Sequence, residues 1–349
     1  MSAPIVVLRA LGLGDTLTGV PALRGLRRRY PGRRLLFAAP LPQARLLLRY
    51  GIVDGIVPTA GLDAEPPGRG YPGHLAVNLH GCGPNSHRLL LAGDPSELLA
   101  YARPDLAVRG PDWDPGEHEV RRWCRLAGWG SAIRGVPGDL VLPGAGTTAR
   151  NGPVVIHPGA TTQARRWPAA RFAAVAAALR RRGLPVVVTG SAGEAAICAQ
   201  VVSRTGFPEA ADLCGRLDLD ALTGLLSRAR LLVCGDTGVA HLGTALRTPS
   251  VLLFGPVDPR RWGPLVDRHL HRVIWHGAGD GFPDPQVGTP GAALLRITAA
   301  EVVDAALDVI GAAGREERIA RGRAGEPRGR TGQRGKEEEK SSLTVPEIP

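Results

Sequence analysis

Short apolar runs alternate along the chain with stretches whose apolar residues recur every three or four positions. Residues 5–9, 35–39, 55–57 and 75–79 read as strands. Between 16 and 29, Leu17, Val20, Leu23 and Leu26 fall on one face of a helix, and 43–50 and 117–127 also carry a helical spacing. This is βαβ order, which predicts a parallel sheet with helices on both faces. Residues 137–153 are rich in Gly, Pro, Thr and Ala and read as an interdomain linker. The pattern then restarts, with strands at 154–157, 186–189, 231–234 and 250–254 and helices at 169–182, 193–205, 219–229, 237–246 and 298–312. Two doubly wound α/β halves follow, with a cleft where ligands sit at the carboxyl ends of the strands. From 315 to 349 the periodicity is lost in favour of Arg, Gly, Glu and Lys, including Glu337, Glu338 and Glu339, which predicts a disordered charged tail.

Composition narrows the class. A chain of 349 residues, 44% hydrophobic and 21% charged, is neither wholly disordered, nor a coiled coil, nor collagen-like, and its length suits two domains. The net charge is +11, of which the tail carries +2 and the body +9. The two lysines, Lys336 and Lys340, both lie in the tail, so a Schiff-base or P-loop lysine is excluded from the body. The basic balance fits a phosphate-rich partner and fits equally an arginine-biased composition without functional meaning. No apolar run reaches the roughly 18 residues of a membrane helix. Arg9 and Asp15 interrupt the N-terminal apolar stretch, which argues against a secretory signal. Cys82, Cys124, Cys198, Cys214 and Cys234 show no C-x-x-C spacing and read as buried free thiols of a cytoplasmic protein.

Four turns between strands and helices can carry chemistry. In Leu11-Gly12-Leu13-Gly14-Asp15-Thr16, two glycines begin a dinucleotide fingerprint, but Leu17 stands where the third would be. Asp15 suits two roles there: cap of the following helix, or carboxylate at the cleft lip that takes a proton from a hydroxyl. In His157-Pro158-Gly159-Ala160-Thr161-Thr162, open N–H groups and hydroxyls suit an oxyanion, and Arg165 or Arg166 can add a charge-assisted fork. An ordinary loop with two solvated arginines is the bland alternative. Cys234-Gly235-Asp236-Thr237-Gly238-Val239-Ala240-His241 takes a strand directly into a helix, with Asp236 expected at the cap and Thr237 and Gly238 leaving N–H groups free for a phosphate. The stretch 254–264 reads as a rigid loop that shapes the cleft or simply turns at the surface.

Taken in order, these segments resemble glycosyltransferase family 9, the ADP-heptose lipopolysaccharide heptosyltransferases. The resemblance is carried by Val7-Leu8-Arg9 through Gly12-Leu13-Gly14-Asp15 to Pro21-Ala22-Leu23-Arg24, and by His157-Pro158-Gly159-Ala160 with Arg166-Trp167-Pro168. Gly190 with Glu194 adds to it, and Asp236-Thr237-Gly238-x-x-His241 followed by Phe254-Gly255-Pro256 is its most specific part. It implies a GT-B fold: an N-terminal Rossmann-like acceptor domain (1–145), a C-terminal Rossmann-like nucleotide-sugar domain (146–314) and the tail. It further implies an inverting, metal-independent transferase with no cofactor, in which Asp15 is the general base. Thr161 and Thr162 would then meet the phosphates, Glu194 the ribose hydroxyls and the backbone near Leu217 the adenine. Asp236, Thr237, Gly238 and His241 would bind diphosphate and sugar. Where the family usually has a Lys two residues before the Trp of its W-P pair, this chain has Arg165, whose fork is wider and reaches differently.

The partners so implied are an ADP-heptose donor and a glycan or glycolipid acceptor. Arg24, Arg27 and Arg28 belong to a basic cluster with no acid between Thr16 and Val53. They read as a solvated helix face, or as a dock for a phosphorylated acceptor or the anionic inner face of the plasma membrane. Aromatic residues are only 4% of the chain, so base-stacking platforms, and with them nucleic acid, are not expected. The rival classes are a nicotinamide oxidoreductase, weakened by the missing third glycine, and a non-catalytic polyanion binder.

Overall fold

Among the described residues, ten short strands, most of them unbroken apolar runs, assemble into two parallel sheets. The first contains β1 (Ile5–Leu8), β2 (Leu35–Ala39), β3 (Gly55–Pro58), β4 (Leu75–Asn78) and β5 (Glu97–Leu99), in the order β3-β2-β1-β4-β5. The second contains β6 (Val154–His157), β7 (Val186–Val188), β8 (Leu231–Gly235), β9 (Ser250–Phe254) and β10 (His271–Trp275), in the order β10-β9-β8-β6-β7. This computed structural model describes residues 2–146, 150–277 and 291–325, the last ten without their side chains. The chain divides into Met1–Ala313 and Gly314–Pro349, and both sheets lie in the former.

Continuous apolar strands are what a parallel sheet covered on both faces requires. In β1, Ile5 and Val7 join one apolar cluster while Val6 and Leu8 join another, because alternate side chains leave opposite faces. Each such side chain fully withdrawn from water contributes about 1.5–3 kcal/mol. The larger cluster runs from Ile5 and Val7 through Leu17 to Val239, Leu242 and Val155, so the two halves share a dry seam along the helices Leu13–Thr18 and Gly238–Ala245.

The differences from the sequence reading have physical causes. The helix expected over 16–29 is two helices, Leu13–Thr18 and Val20–Arg29, parted at Gly19. Asp15 O at that break accepts from Gly19 N and Thr18 Oγ1 and also from Arg9 Nε. The helix Pro84–Leu91 was hidden because its buried face includes Ser86 and His87, which bond Asn78 on β4 instead of forming an apolar stripe. Strand β10 was hidden because it is a sheet edge with the polar pair His271 and Arg272. The stretch read as linker is packed at its start: Leu140 and Leu142 are buried, and Leu142 N donates to Ala245 O at 2.9 Å. Residues 147–149 of it lie outside the described residues. The last helix runs Ala299–Gly325, beyond the 312 expected, and the rest of the predicted tail, 326–349, is outside the described residues. No described helix is long and apolar enough to cross a membrane.

Candidate active site

Each sheet reverses its strand order beside its middle strand, between β1 and β4 in the first and between β6 and β8 in the second. Ligand crevices open at such reversals, beyond the carboxyl ends of the strands. The loops after β1, β6, β7 and β8 meet around one cavity of about 400 Å³. Asp15, Thr161, Arg165, Glu194, Leu217, Asp236, Thr237, Gly238 and His241 all line it. Thr162 does not; it is half-buried, and its hydroxyl has no hydrogen-bond partner among the described residues.

Two glycines let the halves meet here. A Cβ on Gly14 would lie 2.8 Å from His241 Cδ2 and 3.3 Å from Gly238 Cα. One on Gly238 would lie 2.9 Å from Leu13 Cβ and 3.0 Å from Gly14 N. The two helix starts therefore touch backbone to backbone. Gly14 packs against Gly238 and His241, while Gly12, Leu13 and Gly14 also line the cavity.

Asp15 is not a helix cap. The N-cap of Leu13–Thr18 is Gly12, and Asp15 stands inside the first turn with its side chain about one-third exposed to the cavity. Burial raises its pKa above the usual carboxylate value; Arg9 and Arg165 oppose the shift and Glu119 reinforces it. Arg9, which the sequence reading passed over as the end of a strand, is wholly buried beneath it. Its guanidinium spans the strand reversal by donating to Asp15 O and Leu79 O, and it bonds Thr18 Oγ1 at 3.0 Å and Glu119 Oε1 at 3.2 Å. Trp123 lies against the guanidinium at 4.6 Å and donates its Nε1 to Glu119 Oε1 at 2.7 Å. The signal for Arg9 was a charged residue ending an apolar run at the middle strand. Glu119 gave no local signal, because 110 residues separate it from its partner. His80, at the end of β4, is a further residue the sequence did not single out: burial and Arg9 push its pKa down to about 4.

Across the cavity, the N-cap of Gly238–Ala245 is Thr237 in extended conformation with no side-chain cap bond, where Asp236 was expected. First-turn N–H groups at that end carry the positive pole of the helix. Asp236 is buried and its Oδ2 lies 3.4 Å from Arg165 NH1. Of the two candidate arginines, Arg165 faces the cavity, while Arg166 holds its own turn through Ala160 O and Gln163 Oε1. Glu194 closes a capping box on Ser191, accepting from its N at 2.8 Å and its Oγ at 2.9 Å. Its carboxylate occupies the place a Cβ on Gly159 would take, which is why the turn after β6 needs glycine. His157 stacks these layers together: its Nδ1 lies 3.1 Å from Thr189 Oγ1 and its Nε2 3.9 Å from Glu194 Oε2. Leu217, Leu219 and Leu222 form an apolar wall, and Asp218 caps the helix Leu219–Arg228 through Ala221 N at 2.7 Å.

His241 sits at the seam, edge-to-face with Trp262 at 5.8 Å. Burial first, then the positive charge of neighbours including His118, pushes its pKa down to about 4, so it is neutral at pH 7. Trp262 comes from the stretch read as a rigid loop, which holds a short helix, Pro259–Trp262, capped by Asp258.

Arg24, Arg27 and Arg28 stand on the helix Val20–Arg29, and none of them lines the cavity. Arg24 donates to Asp139 O and Val141 O, Arg27 to Asp54 Oδ1 and Ile52 O, and Arg28 to both oxygens of Asp139. Their donors tie the helix to the segments beside it.

The chain is similar to known proteins in part of its sequence and in its fold. The sequence model of glycosyltransferase family 9 (heptosyltransferase) matches residues 142–277. A lipopolysaccharide heptosyltransferase 3 of Escherichia coli is 31% identical over 126 residues, covering 36% of each chain. The matched segments thus span about a third of the curated relatives' length. Among solved structures, the ADP-heptose lps heptosyltransferase II of E. coli superposes with a TM-score of 0.71 at 22% identity, over 90% of this chain and 99% of that one. A family 9 glycosyltransferase from Veillonella parvula superposes at 0.69 and 18% identity, over 88% and 97%. The fold is GT-B, and residues 142–277 are similar to glycosyltransferase family 9 (heptosyltransferase).

Proposed function

We propose that the chain is an inverting glycosyltransferase that moves a sugar from a nucleoside diphosphate to a hydroxyl of a glycan or glycolipid. The names of its relatives favour heptose as the sugar and ADP as the carrier. The observation that carries the reading is one cavity with a carboxylate of raised proton affinity on one wall and phosphate-type turns on the other. In this reading residues 1–145 hold the acceptor and 146–314 the donor.

The diphosphate lies against the first-turn N–H groups after Thr237 and the Gly159–Thr162 turn, with Arg165 released toward it from Asp236. Glu194 takes the ribose hydroxyls, and the base lies along Leu217. Neutral His241, fixed against Trp262, contacts diphosphate and sugar. Asp15 removes the proton of the acceptor hydroxyl as its oxygen bonds the anomeric carbon. The bond from that carbon to the phosphate oxygen breaks with its electron pair going to the leaving diphosphate, and attack from the opposite face inverts the centre. Fixed N–H dipoles and Arg165 meet the growing charge without a metal ion. No cofactor enters this scheme, and its setting is the cytoplasmic side of a membrane that holds the acceptor.

A screen of ADP-, GDP- and UDP-sugars by thermal unfolding tests the donor. ADP-heptose is expected to raise the unfolding temperature most, and stabilisation by ADP no greater than by UDP would remove the assignment. Transfer with a lipopolysaccharide-core acceptor, followed by product mass, tests the reaction itself.

A further inference from the structure

A second cavity, of about 460 Å³, shares no lining residue with the first. His118 and Arg121, at the start of the helix Glu119–Ala127, form one wall, and Arg260, Gly263, Arg268 and His271 contribute to the other. The two sheet units thus both contribute to it. Among the described residues, no carboxylate lines it. Asp258 holds Arg260 at 2.5 Å, and the nearby Asp267 is taken by both arms of Arg247 at 2.8 and 3.0 Å.

The arginines differ in what they are left to do. Arg24, Arg27, Arg28, Arg122 and Arg125 all donate to carbonyls or carboxylates of the protein. Among the described residues, Arg121 and Arg268 do neither, and both are exposed at this cavity. Behind them His271 is more than nine-tenths buried; its Nδ1 meets Ser250 Oγ at 2.8 Å and its Nε2 has no partner. His118 Nε2 bonds Gly263 O at 2.9 Å across the two units, which fixes the walls relative to each other. Two uncommitted guanidiniums and an unsatisfied buried imidazole nitrogen around a carboxylate-free hollow match a doubly charged tetrahedral oxyanion.

We propose that this cavity is a phosphoryl-binding site bridging the two sheet units, separate from the transfer cavity. Its ligand is a phosphate dianion, either free hydrogen phosphate or a monoester borne on a sugar, held between Arg121 and Arg268. The site does not depend on the identity of the donor nucleotide.

Titration calorimetry of the full chain with inorganic phosphate tests it. The variant Arg121→Gln with Arg268→Gln is expected to lose about tenfold or more in phosphate affinity, with its unfolding temperature in phosphate-free buffer unchanged. The Lys/Lys double variant should keep most of the binding, and Arg165→Gln, in the transfer cavity, should leave it within about twofold. A parallel titration with glucose 6-phosphate separates the sources: tighter binding than phosphate points to a sugar-borne group, equal binding to free phosphate. Absence of phosphate binding, equal affinity in wild type and the Gln/Gln variant, or loss in Arg165→Gln instead, would overturn the proposal.

Discussion

Asp15 and Asp236 both follow the carboxyl end of a middle strand, Asp15 in the first turn of the next helix and Asp236 just before it, and the fold treats them in opposite ways. Asp236 is buried against Arg165, and the turn behind it presents N–H groups. Asp15 keeps a third of its side chain open to the cavity. Its nearest cation, Arg9, is 3.7 Å away and is divided among Asp15 O, Leu79 O, Thr18 and Glu119. A guanidinium shared so widely fixes the backbone beneath Asp15 more than it neutralises the carboxylate, and burial then raises the proton affinity. The same strand–turn–helix unit thus yields a candidate base in one half and an anion-receiving wall in the other. What separates them is where the local arginine spends its hydrogen bonds.

The largest effect should come from removing the base. Asp15→Asn keeps the shape, so donor affinity should stay within about twofold while turnover falls about 10²–10⁴-fold, the usual range for a lost general base. Unchanged turnover would end the asymmetry between the two aspartates.

Next is the contact that brings them together. Gly14→Ala puts a methyl group 2.8 Å from His241 Cδ2, and overpacking of that kind costs about 1–3 kcal/mol. A lowered denaturation midpoint together with weakened donor binding is expected; wild-type values for both would mean that the seam yields freely.

Asp236→Asn should act through Arg165 rather than through proton transfer. A half-buried guanidinium loses its carboxylate, at a cost on the order of 1–2 kcal/mol in stability. Donor KM should rise several-fold while the pH profile of kcat stays in place. A displaced pH profile would show that Asp236 also takes part in proton transfer.

Most of the scaffold was legible because parallel strands buried on both faces must be apolar throughout. Runs such as those of β1, β6 and β8 have no other common use. Among the elements that escaped, two carry polar residues at buried positions, Ser86 and His87 on the helix after β4 and His271 on an edge strand, and a third, β5, is only three residues long. For the site, turns of Gly, Thr and Asp marked the stretches after β1, β6 and β8 that line the cavity, because close ligand approach requires small residues and open N–H groups, whereas Glu194 and Leu217 were reached only through the family resemblance. The cap expected at Asp236 was misjudged, since Thr237 holds that position, and of the two readings of Asp15 the cap falls away because Gly12 is the N-cap. Glu119 and the division of labour among the arginines depend on contacts between distant segments, which spacing does not record. Arg27 looks like any surface base in sequence, yet its partners are Asp54 and Ile52 O.

The smallest expected effect bears most directly on the contrast. A carboxylate whose folded pKa lies above its unfolded value favours the fold while it is protonated. That contribution is complete below the unfolded pKa and is lost as pH rises through the folded one. Ionised Asp15 therefore weakens the fold at neutral pH, its partial pairing with Arg9 notwithstanding. Asp15→Asn should raise the unfolding temperature at pH 7 even as it lowers turnover, and the gain should shrink as pH falls through the carboxylate range. Asp236→Asn should lower the unfolding temperature at pH 7. A matched pair of thermal melts from pH 3 to 8 checks both signs. If Asp15→Asn were destabilising at neutral pH, the Arg9 network would be neutralising Asp15 after all, and the two aspartates would be playing one structural part in both halves.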